Sequence, residues 1–200
     1  MESLIISLHD IQYSGKYDTS LAPYIFTLVL KLAEQHKDKA VAFYKQTRIL
    51  DKKIRAIQTA TVKQLRLLYN QCLIIPSSSF TAKCNLASDS DIDIYVYYKK
   101  LVDVLPLVKL NYVKKQSPAV YELYGKTING IPIEIKLRNF TEGTRIRLLH
   151  EYLDKKLTTL ERVYITYIKH LLIKNKAAYK AFKYMVFNYC LYNIGEKTLI

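Results

Sequence analysis

The sequence predicts an α+β fold: a small mixed sheet flanked by helices, with a helical lobe assembled from the N-terminal and C-terminal segments. Three observations carry this. Apolar residues recur at helical spacing from Ser20 to Leu68 and again from Thr144 to Tyr192. Between them, from Leu73 to Leu137, short apolar runs alternate with polar residues in the manner of strands. A chain of 200 residues, half of them hydrophobic, can bury one compact core or two small lobes that share an interface.

Leu4 to Leu8 form a short apolar run, and a polar, glycine-containing turn follows from Gln12 to Thr19. From Ser20, Leu21, Ile25, Leu28 and Leu32 share one helical face, and Pro23 falls in the first turn, where its missing N–H is harmless. A second helix is expected from Lys39 to about Leu50. In a third, Ile54, Ile57, Thr61, Leu65 and Leu68 form an apolar stripe, leaving Lys53, Arg55, Lys63 and Arg66 to face solvent or nucleic acid. It leads into an apolar strand, Leu73 to Ile75, that Pro76 stops. After Val96, the segment YYKKLVDVLPLVKL reads as a basic turn and a short helix ending near Pro106. Val120 to Tyr124 and Ile131 to Leu137 alternate as a hairpin turned at Asn129-Gly130. The C-terminal part is helical. Ile146, Leu149, Leu153 and Leu157 mark one helix, and Leu160, Tyr164, Tyr167 and Leu171 a second, which starts at the Thr158-Thr159 cap. Ala178, Phe182, Met185, Tyr189 and Tyr192 mark a third. These stripes are core-like, and a tyrosine among them reads as packing before it reads as a stacking platform.

Thirty-one Lys and Arg against seventeen Asp and Glu give a net charge of +14, which favours a polyanionic partner. A lysine- and tyrosine-rich, glycine-poor chain also arises simply from an A/T-biased genome, so charge alone does not choose a partner. The longest apolar runs fall far short of the roughly 20 residues that a membrane span requires. The start MESLIISLHD lacks a basic n-region, so a soluble intracellular protein is expected, in nucleus, cytoplasm or an organelle. Cys72, Cys84 and Cys190 are odd in number and far apart, which indicates neither zinc nor a disulfide frame.

The chemistry gathers in LIIPSSSFTAKCNLASDSDIDIYV, Leu73 to Val96. In the second strand of this stretch Asp91 and Asp93 project to one side, while Ile92, Ile94 and Val96 point into a core. Two like charges side by side repel unless a cation neutralises them, and hard oxygen ligands suit Mg²⁺ or Mn²⁺. Ser77, Ser78 and Ser79 offer hydroxyls and backbone N–H groups to phosphate oxygens at a strand-to-loop turn, although a serine triplet is also an ordinary turn. Glu134 lies opposite Ile133 and Ile135, on the same side as Pro132 and Lys136. There it either completes a three-carboxylate cluster or is the outward member of a half-buried strand.

This ordered set of helix, strand, serine turn, Ser90-Asp91-Ile92-Asp93 and a later acidic strand resembles the nucleotidyltransferase superfamily of polymerase β type. Within it, the chain is most similar to the terminal RNA nucleotidyltransferases, the poly(A) and poly(U) polymerases that extend RNA 3′ ends. Ser78-Ser79-Phe80 resembles their Gly-Ser-Phe turn, and Ile133-Glu134-Ile135 their third acidic strand. The run RVYITYIK, ending at Lys169, resembles their helix with a phosphate-binding lysine, and Ala177-Ala178-Tyr179 the segment whose tyrosine stacks on the base. The likeness covers roughly residues 53 to 192, with its strongest motifs between 73 and 96. The chain departs from the pattern in lacking the turn glycine, in having Glu134 where Asp is usual, and in lacking hydroxyls at Ala177 and Ala178. The loop between Lys169 and Tyr179 is short, so Tyr184 competes for the stacking role, and the family's base-reading segment lies further along than residue 200.

The resemblance implies an N-terminal helical segment (1–52), a palm-like nucleotidyltransferase domain (53–140) and a C-terminal helical lobe (141–200). It also implies template-independent transfer of nucleotides from a nucleoside triphosphate to an RNA 3′ end by a two-metal mechanism. Asp91, Asp93 and Glu134 would hold Mg²⁺ or Mn²⁺ as catalytic residues, Ser78, Ser79 and Lys169 would neutralise phosphates, and Tyr179 or Tyr184 would stack on the base. One alternative is a catalytically inactive subunit that binds RNA or a protein partner, a partner that could also complete the site. Another is a small nucleotidyltransferase acting on a DNA, protein or other non-RNA acceptor. The retained carboxylates argue for the enzyme, since uncompensated acids repel.

Overall fold

The computed structural model describes residues 22–76, 83–86, 92–110, 112–117, 120–124, 133–140 and 144–195. The expected elements at Leu4 to Thr19, Leu21, the serine turn at 77–79, Asp91 and the Asn129-Gly130 turn lie outside them. The fold is α+β, and the chain forms two compact units: residues 47–150, and residues 1–46 together with 151–200.

The 47–150 unit is built on a five-stranded mixed sheet in the order β1-β2-β5-β4-β3. Its strands are β1 (Leu73–Pro76), β2 (Ile92–Tyr98), β3 (Tyr112–Ser117), β4 (Val120–Tyr124) and β5 (Ile133–Asn139). β2 and β5 pair in parallel at the centre, and the outer pairings are antiparallel. The strand alternation read from sequence holds. Ile92, Ile94 and Val96 are fully buried, and Ile133, Ile135 and Leu137 continue the same layer on β5. Ile54, Val62 and Leu65 from the preceding helix, and Tyr69 just after it, pack in the same core as these residues.

The expected second and third helices are one. α2 (Lys37–Leu68) runs unbroken through residues 50–53, between the two expected helices, where no Gly or Pro enforces a boundary. Near its C-terminus Leu65 is buried, whereas Leu67 and Leu68 are exposed. The short helix expected to end near Pro106 begins there instead. A 3₁₀ turn (Leu101–Val104) leads into α3 (Leu105–Leu110), with Pro106 in the first turn, where no N–H is needed. The β4–β5 pairing of the expected hairpin is present, and β3 adds an edge strand that pairs with β4.

The other unit contains α1 (Ala22–Glu34), the start of α2, the end of α4 (Thr144–Lys155), α5 (Thr159–Leu172) and α6 (Lys176–Asn193). α1 turns a different face inward from the one its spacing suggested. Phe26, Val29 and Ala33 are buried, while Leu28 and Leu32 are 42% and 46% exposed. Phe26 packs against Tyr189 of α6 with ring centroids 4.2 Å apart and the rings tilted by 35°. α5 is the central helix, buried from Arg162 through Lys169. Thr158 caps it as expected. Its hydroxyl accepts the Glu161 N–H at 3.2 Å, and the Glu161 carboxylate accepts the Thr158 N–H at 2.7 Å. The buried Arg162 guanidinium donates to the carbonyls of Asp154 and Leu157, at 2.9 and 3.1 Å, and so satisfies the end of α4. Among the described residues no helix is long and apolar enough to cross a membrane, and none of Cys72, Cys84 and Cys190 is in a disulfide.

Candidate functional site

The parallel register of the two central strands sets Asp93 directly beside Glu134, as Cα partners. Because strand alternation sends Ile92 and Ile94 to one side and Ile133 and Ile135 to the same side, both carboxylates emerge on the opposite face. Glu134 is buried, with 8% exposure. Asp91, one step earlier in the same alternation, and the serine turn with Ser78 and Ser79 lie outside the described residues.

Lys136, two residues beyond Glu134 on the same face of β5, closes the arrangement. Its ammonium donates to Asp93 Oδ1 at 3.1 Å and sits 3.3 Å from Glu134 Oε2. Burial works against this charge, but Tyr95, Asp93 and Glu134 outweigh it and hold the lysine's pKa above its ordinary value. The face continues with aromatic rings. Lys136 Nζ lies 5.5 Å and the Arg138 guanidinium 5.7 Å from the Tyr95 ring centroid. Tyr95 in turn meets the ring of His150 from α4 edge-on, centroids 4.7 Å apart. Burial, and after it the Lys136 charge, push the His150 pKa down to about 4.

The segment between the serine turn and β2 is anchored from α2. Arg48 donates to the Asn85 side chain at 3.1 Å and to the Asn85 carbonyl at 2.8 Å, and Cys84, Asn85 and Leu86 are buried beneath it. Arg66, expected to face solvent or nucleic acid, donates to the Ile74 carbonyl on β1 at 2.9 Å.

Two carboxylates reaching one ammonium are a hard-oxygen donor set already converged on a cation, and that fits Mg²⁺ or Mn²⁺. Among the described residues, which exclude Asp91, no group of three or more His, Cys, Asp or Glu forms.

In the helical unit, Lys169 is 4% exposed on α5, with its ammonium 5.7 Å from the Tyr179 ring centroid. Lys183 approaches the same ring at 5.6 Å. Tyr179 and Tyr184 share the wall of a groove of about 300 Å³ with Lys176, Lys180, Lys183 and Phe187, and Tyr184 is 59% exposed. Ala178 is fully buried and its N–H is taken by the Asn175 side chain at 3.1 Å, so a hydroxyl there would have no room and that donor is already used.

Sequence reasoning missed Tyr95, His150 and Arg48, and it put Lys136 on the face of Glu134 without recognising it as the counter-ion. Lys136 had a legible signal: a lysine two residues from Glu134 in an alternating strand must share its face.

No protein-family model and no curated protein matches the chain. Solved structures do. A cytoplasmic RNA terminal U-transferase superposes with a TM-score of 0.52 and 16% identity, covering 70% of this chain and 45% of that one. The Cid1 poly(U) polymerase superposes with a TM-score of 0.51 and 17% identity as its Mg 3′-dATP complex, covering 71% of this chain and 48% of that one. Its MgGTP complex gives 0.50 and 18%, with coverage of 69% and 49%. The chain thus spans about half the length of these proteins. It has the nucleotidyltransferase fold related to that of the poly(U) polymerases.

Proposed function

We propose that this chain is a template-independent nucleotidyltransferase that adds nucleotides from a nucleoside triphosphate to an RNA 3′ end. The observation that carries this reading is the convergence of Asp93 and Glu134 on one cation in parallel neighbouring strands, within a fold shared with a terminal U-transferase. In this reading residues 53–140 are the palm-like domain, and 1–52 and 141–200 supply the helical segments.

Asp91, Asp93 and Glu134 would hold Mg²⁺ or Mn²⁺, which would supply charge stabilisation to the attacking and leaving oxygens. The 3′-oxygen forms a bond to the α-phosphorus as the α–β phosphoanhydride bond breaks and pyrophosphate leaves. Glu134 would draw the proton from the attacking 3′-hydroxyl. Ser78, Ser79 and Lys169 neutralise the departing phosphates through charge-assisted hydrogen bonds. Tyr179 or Tyr184 stacks on the base, a contact worth roughly 1–3 kcal/mol and tolerant of sequence. DNA 3′ ends and protein acceptors are alternative substrates for the same chemistry, and a protein partner is a further way to complete the site.

The test is incorporation of labelled UTP and ATP onto an RNA primer. Asp91→Ala with Asp93→Ala is expected to abolish it, and undiminished incorporation by the double variant would overturn the mechanism.

One observation favours a second reading, a binding subunit without catalysis. Lys136 compensates Asp93 and Glu134, so persistence of the acids does not require a metal. In a thermal-shift series with Mg²⁺ and each triphosphate, stabilisation by at least one nucleotide supports the enzyme, and no stabilisation by any supports the binding subunit.

A further inference from the structure

The side chains of Asp93, Glu134 and Lys136 are only 20%, 10% and 18% exposed, and one ammonium lies between the two carboxylates. The placement follows from the backbone. Parallel pairing makes Asp93 and Glu134 neighbours, and the two-residue period of β5 returns Lys136 to their face.

We propose that Lys136 is a built-in competitor for the divalent cation: its ammonium occupies the position between Asp93 and Glu134, and metal binds there only when Lys136 withdraws. The choice of Mg²⁺ or Mn²⁺ rests on the nucleotidyltransferase reading, whereas the competition is a matter of geometry and does not require turnover.

The two occupants exclude each other. An ammonium held at 3.1 and 3.3 Å fills the space in which an octahedral Mg²⁺ would need its oxygen ligands at about 2.1 Å. A point charge on a flexible four-carbon stem can leave where a rigid guanidinium would not. The ammonium already lies over the electron-rich face of Tyr95, 5.5 Å from its centroid, so it need not lose that contact as it leaves the carboxylates. Lys136 therefore keeps the carboxylates converged and compensated in the metal-free protein, and it raises the concentration of divalent ion needed to fill the site.

The experiment is a Mn²⁺ titration followed by the EPR signal of the free ion, with melting temperatures recorded in EDTA and in Mn²⁺, on the full chain and on Lys136→Met and Lys136→Arg. Lys136→Met is expected to bind Mn²⁺ about tenfold more tightly, because a competing charge a few ångströms from the site is gone. It should melt below the unsubstituted protein in EDTA and gain more from Mn²⁺. Lys136→Arg, which retains the charge, should bind no more tightly than the unsubstituted protein. Lys136→Gln gives the same comparison with a polar head, should the methionine variant fail to fold. Equal or weaker Mn²⁺ binding by the neutral variant that folds overturns the proposal. Tighter binding without nucleotide incorporation would leave the competition standing and remove the catalytic reading; incorporation with unchanged Mn²⁺ affinity would do the reverse.

Discussion

His150 is 2% exposed, its Nδ1 has no hydrogen-bond partner among the described residues, and it meets the edge of Tyr95. Lys136 from β5 also acts on it, and Arg147 lies one turn earlier on its own helix. Its pKa of about 4 lies below the unfolded value near 6.5, so protons favour the unfolded chain. The contribution is therefore fully present above about pH 6.5 and is lost as pH falls, by about 3 kcal/mol at pH 4. Denaturant melts of the unsubstituted protein and of His150→Phe, taken at neutral pH and near pH 4, should show a flatter acid limb for the variant, and parallel limbs would refute the assignment. At this scale the site was half legible. Strand alternation fixes the sides on which Asp93 and Glu134 emerge, whereas the register that makes them neighbours comes from the sheet pairing and was not readable in the sequence. Lys136 was placed on the right face but not recognised as the counter-ion, since i to i+2 spacing gives a face and not the direction of a flexible side chain. His150 and Arg48 carried no signal, because each meets its partner across tens of residues of sequence.

Among the elements, the N-terminus of α5 shows most directly how local sequence sets structure. Thr158 and Glu161 satisfy each other's backbone N–H groups, and Glu161 Oε1 also accepts the Tyr189 hydroxyl at 2.9 Å, tying the cap to α6. Thr158→Ala should destabilise the protein by about 1 kcal/mol in urea unfolding, with Thr158→Ser close to neutral. Equal midpoints for all three would show that the cap contributes nothing. Caps of this kind were legible because both partners lie within four residues. The buried face of α1 was not, for a physical reason: APYIFTLVLKLAE is apolar almost all round, so the Leu28/Leu32 stripe and the Phe26/Val29/Ala33 stripe are equally good helical periods. The packing of Phe26 against Tyr189, contributed by the other end of the sequence, accompanies the second. The continuity of α2 was not read either: separate helices were expected on the two sides of residues 50–53, although Leu50, Asp51, Lys52 and Lys53 include no helix breaker.

For the molecule as a whole, the charge of +14 is either a phosphate-binding property or a by-product of composition, and salt dependence separates the two. Lysines serve phosphate binding only where they are grouped and accessible, and Lys176, Lys180 and Lys183 are grouped along α6 beside Tyr179 and Tyr184. A single strand lying there would place bases on the rings and phosphates on the ammonium groups. Each phosphate neutralised on a single strand contributes about −0.7 to the slope of log affinity against log salt, so losing three contacts should flatten that slope by about 2. Fluorescence anisotropy of a labelled oligouridylate across a series of NaCl concentrations, with the unsubstituted protein and the Lys176→Gln, Lys180→Gln, Lys183→Gln triple variant, measures it directly. Circular dichroism of the triple variant should be unchanged, since all three substitutions lie on one partly exposed helix and glutamine is nearly as good a helix former as lysine. A slope that stays the same in the triple variant would remove α6 from the RNA path, and a slope near zero in both proteins would make the basic excess a matter of composition.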